Sequence, residues 1–303
     1  MPKLPVGRTI EAAYRFALKQ FFAVLAIIWF PYLVVIAIVA ALGMAMAPGL
    51  LQAAKADTLP LSAIPGLVGL GLLLVLGLLV AGAMARVGLM RRALGMQTGW
   101  VFIYFSFAAP VWRMLGAMIL AMFIVIGIVV AGAAAVGVVW GITHALLSAM
   151  VSGIATGIAA VVAVLVYFYS VVRLVFFLPA VVVDEEQIGI GRAWALGGGN
   201  FWRIIIVILA IFIPVLILFG AIGAVLGTPM IAPAAEPATV HEAIKRAIDQ
   251  LAAAINPLTI PFEIAYITVL TGLGSGAVAG AYRAIVSPHA GEDTTPPAES
   301  AHA

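Results

Sequence analysis

Six long apolar segments constrain this chain more than any other feature of its sequence. Each exceeds the roughly 20 residues that an α-helix needs to cross a bilayer core of about 30 Å. Of 303 residues, 65% are hydrophobic and 9% are charged, whereas an ordinary soluble domain is about 25% charged. The pattern predicts an all-α polytopic membrane bundle of about six transmembrane helices. The predicted spans are residues 22–47, 61–85, 114–142, 151–178, 201–227 and 258–285.

Two amphipathic segments accompany the predicted spans. In residues 9–21, apolar side chains recur at helical spacing, and charged side chains occupy the other face. In residues 239–255, Thr239 and Glu242 form a capping-box pattern ahead of an apolar stripe. We expect both helices to lie at the membrane surface, within one integral membrane domain of residues 1–285. The polar, Pro-rich tail of residues 286–303 is disordered by composition.

The distribution of Lys and Arg predicts the topology. With six spans and both termini on one side, that side holds all but three of the 15 cationic residues. The other side holds Lys55, Lys245 and Arg246. This asymmetry predicts a multi-pass membrane protein with both termini in the cytoplasm. The net charge of +3 is too small to indicate nucleic acid as a partner, and the absence of Cys excludes disulfide and thiolate chemistry.

A dense hydrophilic connector, residues 173–203, separates the fourth and fifth predicted spans. Its acidic turn, residues 184–186, offers carboxylates for a cation, but we predict a solvated turn that faces Arg192. Gly197 to Gly199 are expected to end a short helix so that Asn200 can cap the next span. The candidate functional residues of this connector are Arg173, Glu185, Glu186, Arg192, Asn200, Trp202 and Arg203.

Glu263 is the remaining candidate, because a carboxylate inside a predicted span is costly and often functional. Two alternatives stay open: Glu263 reaches the outer interface, or it pairs with Lys245 or Arg246. The four His residues are scattered and show no metal-ligand spacing, so no catalytic, metal or cofactor site is predicted. The glycines of residues 272–277, GLGSGA, indicate close helix packing, as do the spaced pairs Gly137 with Gly141, Gly153 with Gly157, and Gly276 with Gly280.

The connector also carries a family resemblance. Arg173, Pro179, an acidic residue at Glu185 or Glu186, and then RAWALGGGNFWR over residues 192–203 form its pattern. This pattern resembles the glycerophosphoryl diester phosphodiesterase membrane-domain family and related uncharacterised bacterial six-helix membrane proteins. The resemblance covers the second half of the chain, and the first half by hydropathy only. Ala193 and Gly197 stand where members often carry Ser and Thr. The resemblance implies a stand-alone membrane module without a phosphodiesterase domain, and it transfers no catalytic residue.

Three function classes follow from these observations. We favour a non-enzymatic module that binds membrane lipids or another membrane protein, because packing glycines and surface helices are present without a catalytic set. A transporter of small molecules or lipids is the alternative, since Pro31 and Pro214 interrupt two spans. A membrane enzyme that acts on lipid is the second alternative, and it would depend on the acidic turn.

Overall fold

The computed structural model describes residues 3–55, 64–97, 99, 103–225 and 260–286. Within these ranges the chain forms nine α-helices and no β-strand. In chain order the helices are α1 (Val6–Lys19), α2 (Phe21–Lys55), α3 (Ile64–Ala93), α4 (Ala109–Leu146), α5 (Ala149–Val175), α6 (Leu178–Asp184), α7 (Ile190–Gly197), α8 (Phe201–Val225) and α9 (Ile260–Val286).

Six segments of these helices are long and apolar enough to cross a membrane. They are Phe21–Met46, Pro65–Ala93, Ala109–Leu146, Ala149–Asp184, Phe201–Val225 and Pro261–Val286. The fourth segment includes both α5 and the short α6. The sequence prediction of an all-α bundle with six membrane-spanning helices is therefore confirmed.

Some helices extend beyond the predicted spans. α3 continues to Ala93, eight residues past the predicted end at residue 85. α4 begins at Ala109, because Pro110 lies in its first turn, where the missing proline N–H costs no helical hydrogen bond. Residues 103–108 form a non-helical strap before α4. The predicted helix of residues 239–255 and the tail beyond residue 286 lie outside the described residues.

α4 and α5 pack against each other as a hairpin that extends away from the rest of the bundle. The buried residues of α4 are confined to its first half and comprise Val111, Met114, Ala117 and Ala121. Farther along, large apolar side chains such as Phe123, Val130 and Leu165 are exposed, as expected for lipid-facing positions. A Cβ added at Gly137, Gly141, Gly153 or Gly157 would meet no atom within 4 Å in the described part of the chain. The helix contacts predicted for these glycines are therefore wrong.

α1 packs antiparallel against α9 through small residues. A Cβ at Gly276 would lie 2.9 Å from Ala13 Cα, and one at Gly272 would lie 3.3 Å from Ala17 Cα. The predicted close packing of Gly276 is therefore confirmed. The buried positions of α1 are Thr9, Ala13 and Ala17 rather than its largest apolar residues. The glycine face of α9 lets the backbone of α1 come close and leaves no room there for large side chains. Leu18 accordingly remains 72% exposed.

The centre of the bundle is filled by α6. Phe177 and the α6 residues Leu178, Ala180, Val181, Val182 and Val183 are all buried. α6 contacts α3, α4, α5, α7 and α9, so the connector after α5 folds back into the bundle. Pro179 lies in the first turn of α6, where it is tolerated. The largely apolar LPAVVVD sequence thus forms a short helix buried between the other helices.

Candidate functional site

Arg173, near the end of α5, packs against α7 and donates a hydrogen bond to it. Its guanidinium carbon lies 4.2 Å from the centre of the Trp194 ring and 5.2 Å from that of Tyr169. It donates hydrogen bonds to the Trp194 carbonyl at 3.0 Å and to the Tyr169 hydroxyl at 2.6 Å. A planar guanidinium suits this combination of stacking and donation. The structure therefore gives Arg173 a structural role at the connector.

The glycines that follow α7 permit this close approach. A Cβ at Gly197 would lie 3.0 Å from Arg173 Cα, and one at Gly198 would lie 2.9 Å from Arg173 Nη2. Gly199 has φ +75°, a conformation that residues with a Cβ rarely adopt. α7 ends at Gly197 and α8 begins at Phe201, as the sequence pattern predicted.

All three carboxylates of the acidic turn have partners, and Asp184 and Glu185 share the Tyr282 hydroxyl. Glu185 pairs with Arg192 at 3.0 Å, which confirms the predicted facing of the turn and Arg192. Glu186 pairs with Arg113 at 3.1 Å, and Asp184 accepts a hydrogen bond from the Tyr282 hydroxyl at 2.7 Å. Burial tends to raise the pKa of Glu185, but hydrogen bonds from Arg192, Gln187 and Tyr282 outweigh it and hold that pKa below its usual value.

Asn200 and Arg203 hold the amino-terminal segment. The Asn200 side-chain oxygen accepts a hydrogen bond from the Leu4 backbone N–H at 2.9 Å. Arg203 donates to the Leu4 carbonyl, also at 2.9 Å, and the Leu4 side chain is fully buried. Both backbone groups of Leu4 are therefore satisfied by residues almost 200 positions away, a partnership that no local pattern indicates.

Trp202 and Glu263 do not join this group. The Trp202 side chain is 74% exposed beside the start of α8. Glu263 is exposed in the first turn of α9, and its suggested partners Lys245 and Arg246 lie outside the described residues. The connector residues Arg173, Glu185, Glu186, Arg192, Asn200 and Arg203 therefore form the joint between the helices, and their side chains already have partners.

A cavity that we call the central cavity lies between α3, α6, α8 and α9 and the end of α5. Its volume is about 340 Å³, within the range of about 300–1,000 Å³ typical of ligand pockets. Most of its walls are apolar, with hydroxyls from Thr271 and Ser275 on α9. Its lining residues are Arg86, Met90, Val175, Phe176, Pro179, Val207, Ile208, Ile211, Phe212, Thr271, Gly274, Ser275, Ala277 and Val278.

Arg86 supplies the one charge among the residues that line the central cavity. Residues 81–85 and 87–90 are all buried, whereas the Arg86 side chain is exposed. Within the described ranges Arg86 has no hydrogen bond or ion pair. It lies seven residues before the end of α3, about 10 Å along the helix axis. Among the described residues, an exposed and unpaired guanidinium therefore borders an otherwise apolar, partly open cavity.

The sequence offered one signal that could have identified Arg86. Arg86, Arg91 and Arg92 stand close together in the sequence and resemble one basic cluster at the end of the second span. On a helix with about 100° between residues, however, Arg86 and Arg91 point in different directions. Arg86 also stands five residues before Arg91 and six before Arg92, inside a run of small and apolar residues. This isolation within an apolar run distinguishes Arg86 from the two arginines that follow it.

The fold and the cavity define a multi-pass helical membrane protein whose connector folds back into its own bundle. Comparison of the chain with protein-family models, curated proteins and solved structures finds no match. In the described ranges no three His, Asp or Glu side chains converge to hold a metal ion.

Proposed function

We propose that this protein binds an acidic amphiphile, a molecule with one anionic head group and an apolar chain, in the central cavity. The observation that carries the proposal is the Arg86 guanidinium, unpaired among the described residues, in an otherwise apolar cavity. A cation in a membrane interior is costly unless an anion accompanies it. A carboxylate or phosphate would accept charge-assisted hydrogen bonds from Arg86, while the apolar walls would take part of an acyl chain.

Ser275 of α9 supports an anionic head group at this position. Thr271 donates its only hydroxyl proton to the Ile267 carbonyl, so it has no proton left to donate to an anion. Ser275 is 8% exposed and has no hydrogen-bond partner among the described residues. Its hydroxyl can donate to an anion that Arg86 holds.

Binding of the acidic amphiphile can be tested with a spin-labelled fatty acid and with an acidic phospholipid. The full-length protein would be reconstituted in phosphatidylcholine nanodiscs, and the immobilised fraction of each probe would be measured. Arg86→Gln should weaken binding roughly ten- to hundredfold, because it removes a charged hydrogen bond worth about 1.5–3 kcal/mol. Arg86→Lys should retain part of the affinity.

The control for Arg86→Gln is Arg8→Gln, which removes an exposed cation from α1 and should leave binding unchanged. Equal loss in both variants would indicate general attraction to cations and not the central cavity. Wild-type affinity in Arg86→Gln would overturn the proposed function.

Transport of the same amphiphile is the second candidate function. Pro214 interrupts α8 close to Ile211 and Phe212, which line the central cavity. Proline-interrupted helices beside a binding cavity are common in transporters. A fluorescent acidic lipid should then cross between leaflets of proteoliposomes faster with wild-type protein than with Arg86→Gln. Equal rates in the two proteins would show that the protein binds the lipid but does not transport it.

The carboxylates of the acidic turn contact Arg113, Arg192 and Tyr282, which does not favour a lipid enzyme.

The proposed setting is the bacterial inner membrane, with both termini in the cytoplasm. The cation bias of the sequence supports this orientation. Hydrogen bonds between segments assigned to this side are consistent with it. Arg92 donates to Gln20, Arg203 donates to Leu4, and Arg283 donates to the Ala93 carbonyl at 3.0 Å. A carboxyl-terminal reporter that is active only outside the cytoplasm should stay silent, and a strong signal would reverse the orientation.

Membership of the glycerophosphoryl diester phosphodiesterase membrane-domain family also remains a proposal, supported by the connector sequence.

A further inference from the structure

A second cavity, which we call the polar cavity, lies between the end of α3, the strap of residues 103–108 and the end of α6. Its volume is about 530 Å³. In contrast to the central cavity, polar and charged groups form most of its lining. The lining residues are Arg91, Met96, Gln97, Tyr104, Ser106, Val183, Asp184 and Glu186.

Two buried polar atoms at this cavity have no hydrogen-bond partner in the described part of the chain. They are the Tyr104 hydroxyl and the Gln97 side-chain oxygen. Tyr104 is only 8% exposed. Buried polar groups in folded proteins are nearly always hydrogen-bonded, and a buried group without a partner is costly. Burial raises the pKa of Tyr104, partly opposed by Arg91, so the phenol stays protonated and able to donate.

The charges at the polar cavity are also incompletely paired. Arg91 forms no ion pair within the described ranges. Asp184 accepts a hydrogen bond from the neutral Tyr282 hydroxyl, whereas Glu186 already pairs with Arg113. One cation and one anion therefore line the same cavity without bridging each other. A ligand with one anionic and one cationic group could pair with Arg91 and Asp184 at the same time.

The aromatic residues of the strap indicate that this cavity lies near the depth of lipid head groups. Tyr104 points inward, while its neighbours Phe105 and Phe107 are 46% and 55% exposed. Their rings form a chain of contacts that runs from Phe30 through Phe105 and Phe107 to Trp112. Exposed aromatic clusters of this kind are typical of the membrane–water boundary.

We propose that the polar cavity binds a zwitterion with a primary ammonium and an anionic oxygen group. Arg91 and the Tyr104 hydroxyl donate to the anionic oxygens, while Asp184 and the Gln97 side-chain oxygen accept from the ammonium. Two sources carry this chemistry at a membrane surface: an ethanolamine lipid head group and free phosphoethanolamine. A choline head group does not fit, because its quaternary ammonium has no N–H to donate.

The polar site is separate from the central cavity. Pro179 of α6 lines the central cavity, whereas Val183 and Asp184 of the same helix line the polar one. Arg86→Gln should therefore leave binding at the polar cavity unchanged. This variant distinguishes failure of the zwitterion site from failure of the proposed function.

The test measures retention of phosphatidylethanolamine and phosphatidylcholine on the full-length protein by native mass spectrometry. A second arm measures the thermal shift of the protein in detergent with phosphoethanolamine. Retention of the ethanolamine lipid alone would identify a lipid head group, and a thermal shift would identify the free zwitterion. Either result supports the site, whereas equal retention of both lipids without a thermal shift would overturn it.

Two variants locate the binding. Tyr104→Phe should weaken ethanolamine binding roughly ten- to hundredfold, because it removes one hydrogen bond to an anionic oxygen and keeps the ring. Arg91→Gln should weaken it roughly ten- to hundredfold. If the cavity instead holds only water, Tyr104→Phe should leave ethanolamine selectivity at the wild-type level, and that result would reject the proposal. Arg8→Gln is again the charge-matched control for Arg91→Gln.

Discussion

The Tyr14 hydroxyl of α1 donates a hydrogen bond to the Ala210 carbonyl of α8 at 3.3 Å. Ala210 stands four residues before Pro214, which has no backbone N–H and cannot donate to that carbonyl. α1 thus supplies, from outside α8, the donor that the proline removes. Such replacement donors allow prolines within membrane helices. The contact also connects α1 to the helix that lines the central cavity.

Tyr14→Phe should lower the free energy of unfolding by about 1 kcal/mol, because the Ala210 carbonyl loses this donor. The loss should shrink in a Pro214→Ala background, where residue 214 regains an N–H for the same carbonyl. Unfolding in mixed micelles of the two single variants and the double variant would measure this coupling. Additive losses would show that Tyr14 does not compensate for Pro214.

Gly276→Ala should destabilise the packing of α1 on α9 by about 1–3 kcal/mol, because its Cβ would lie 2.9 Å from Ala13 Cα. The matched control is Gly274→Ala on the same helix, where a Cβ would meet no atom within 4 Å. That control should be neutral or slightly stabilising, since Ala is the better helix former. Thermal unfolding in detergent, with cross-linking between α1 and α9, would compare them. Equal stability of both variants would contradict the close approach of the two helices.

Gly197→Ala should loosen α7 from α5, because a Cβ there would lie 3.0 Å from backbone atoms of Arg173. The expected loss is about 1–3 kcal/mol, typical of an overpacked contact. Gly191→Ala, which adds a methyl group in open space on α7, is the control. Trp194 fluorescence would report the change, since its ring stacks on Arg173. An unchanged melting temperature in Gly197→Ala would show that α7 can shift without cost.

Glu185 should make stability depend on acid pH. Its folded-state pKa is lowered, so its stabilising contribution is present above the ordinary Glu value of about 4.3. That contribution is lost as pH falls through the lowered pKa. Glu185→Gln should therefore be less stable than wild type at pH 7, and the difference should shrink below about pH 4. Melting curves of both proteins at neutral and acid pH would measure it, and a constant difference would exclude Glu185 as the cause.

Local contacts were the part of the candidate site that the sequence could predict. Arg192 and Glu185 stand seven residues apart in one connector, so their pairing follows from proximity. The bonds from Leu4 to Asn200 and from Tyr282 to Asp184 join residues 196 and 98 positions apart. Such partners depend on how whole helices dock, and hydropathy does not encode docking.

The sequence by itself determined the helical class and the six spans, because a lipid-exposed backbone must satisfy its own hydrogen bonds and so forms helices. Only the tertiary structure decided what the three arginines near the end of α3 contact. Arg86 lines the central cavity, Arg91 lines the polar cavity, and Arg92 donates to Gln20. Their directions follow from helical rotation, but what each one meets depends on the placement of α1, α6 and α9. That placement is set by side-chain shape, most clearly where the glycines of α9 admit the backbone of α1.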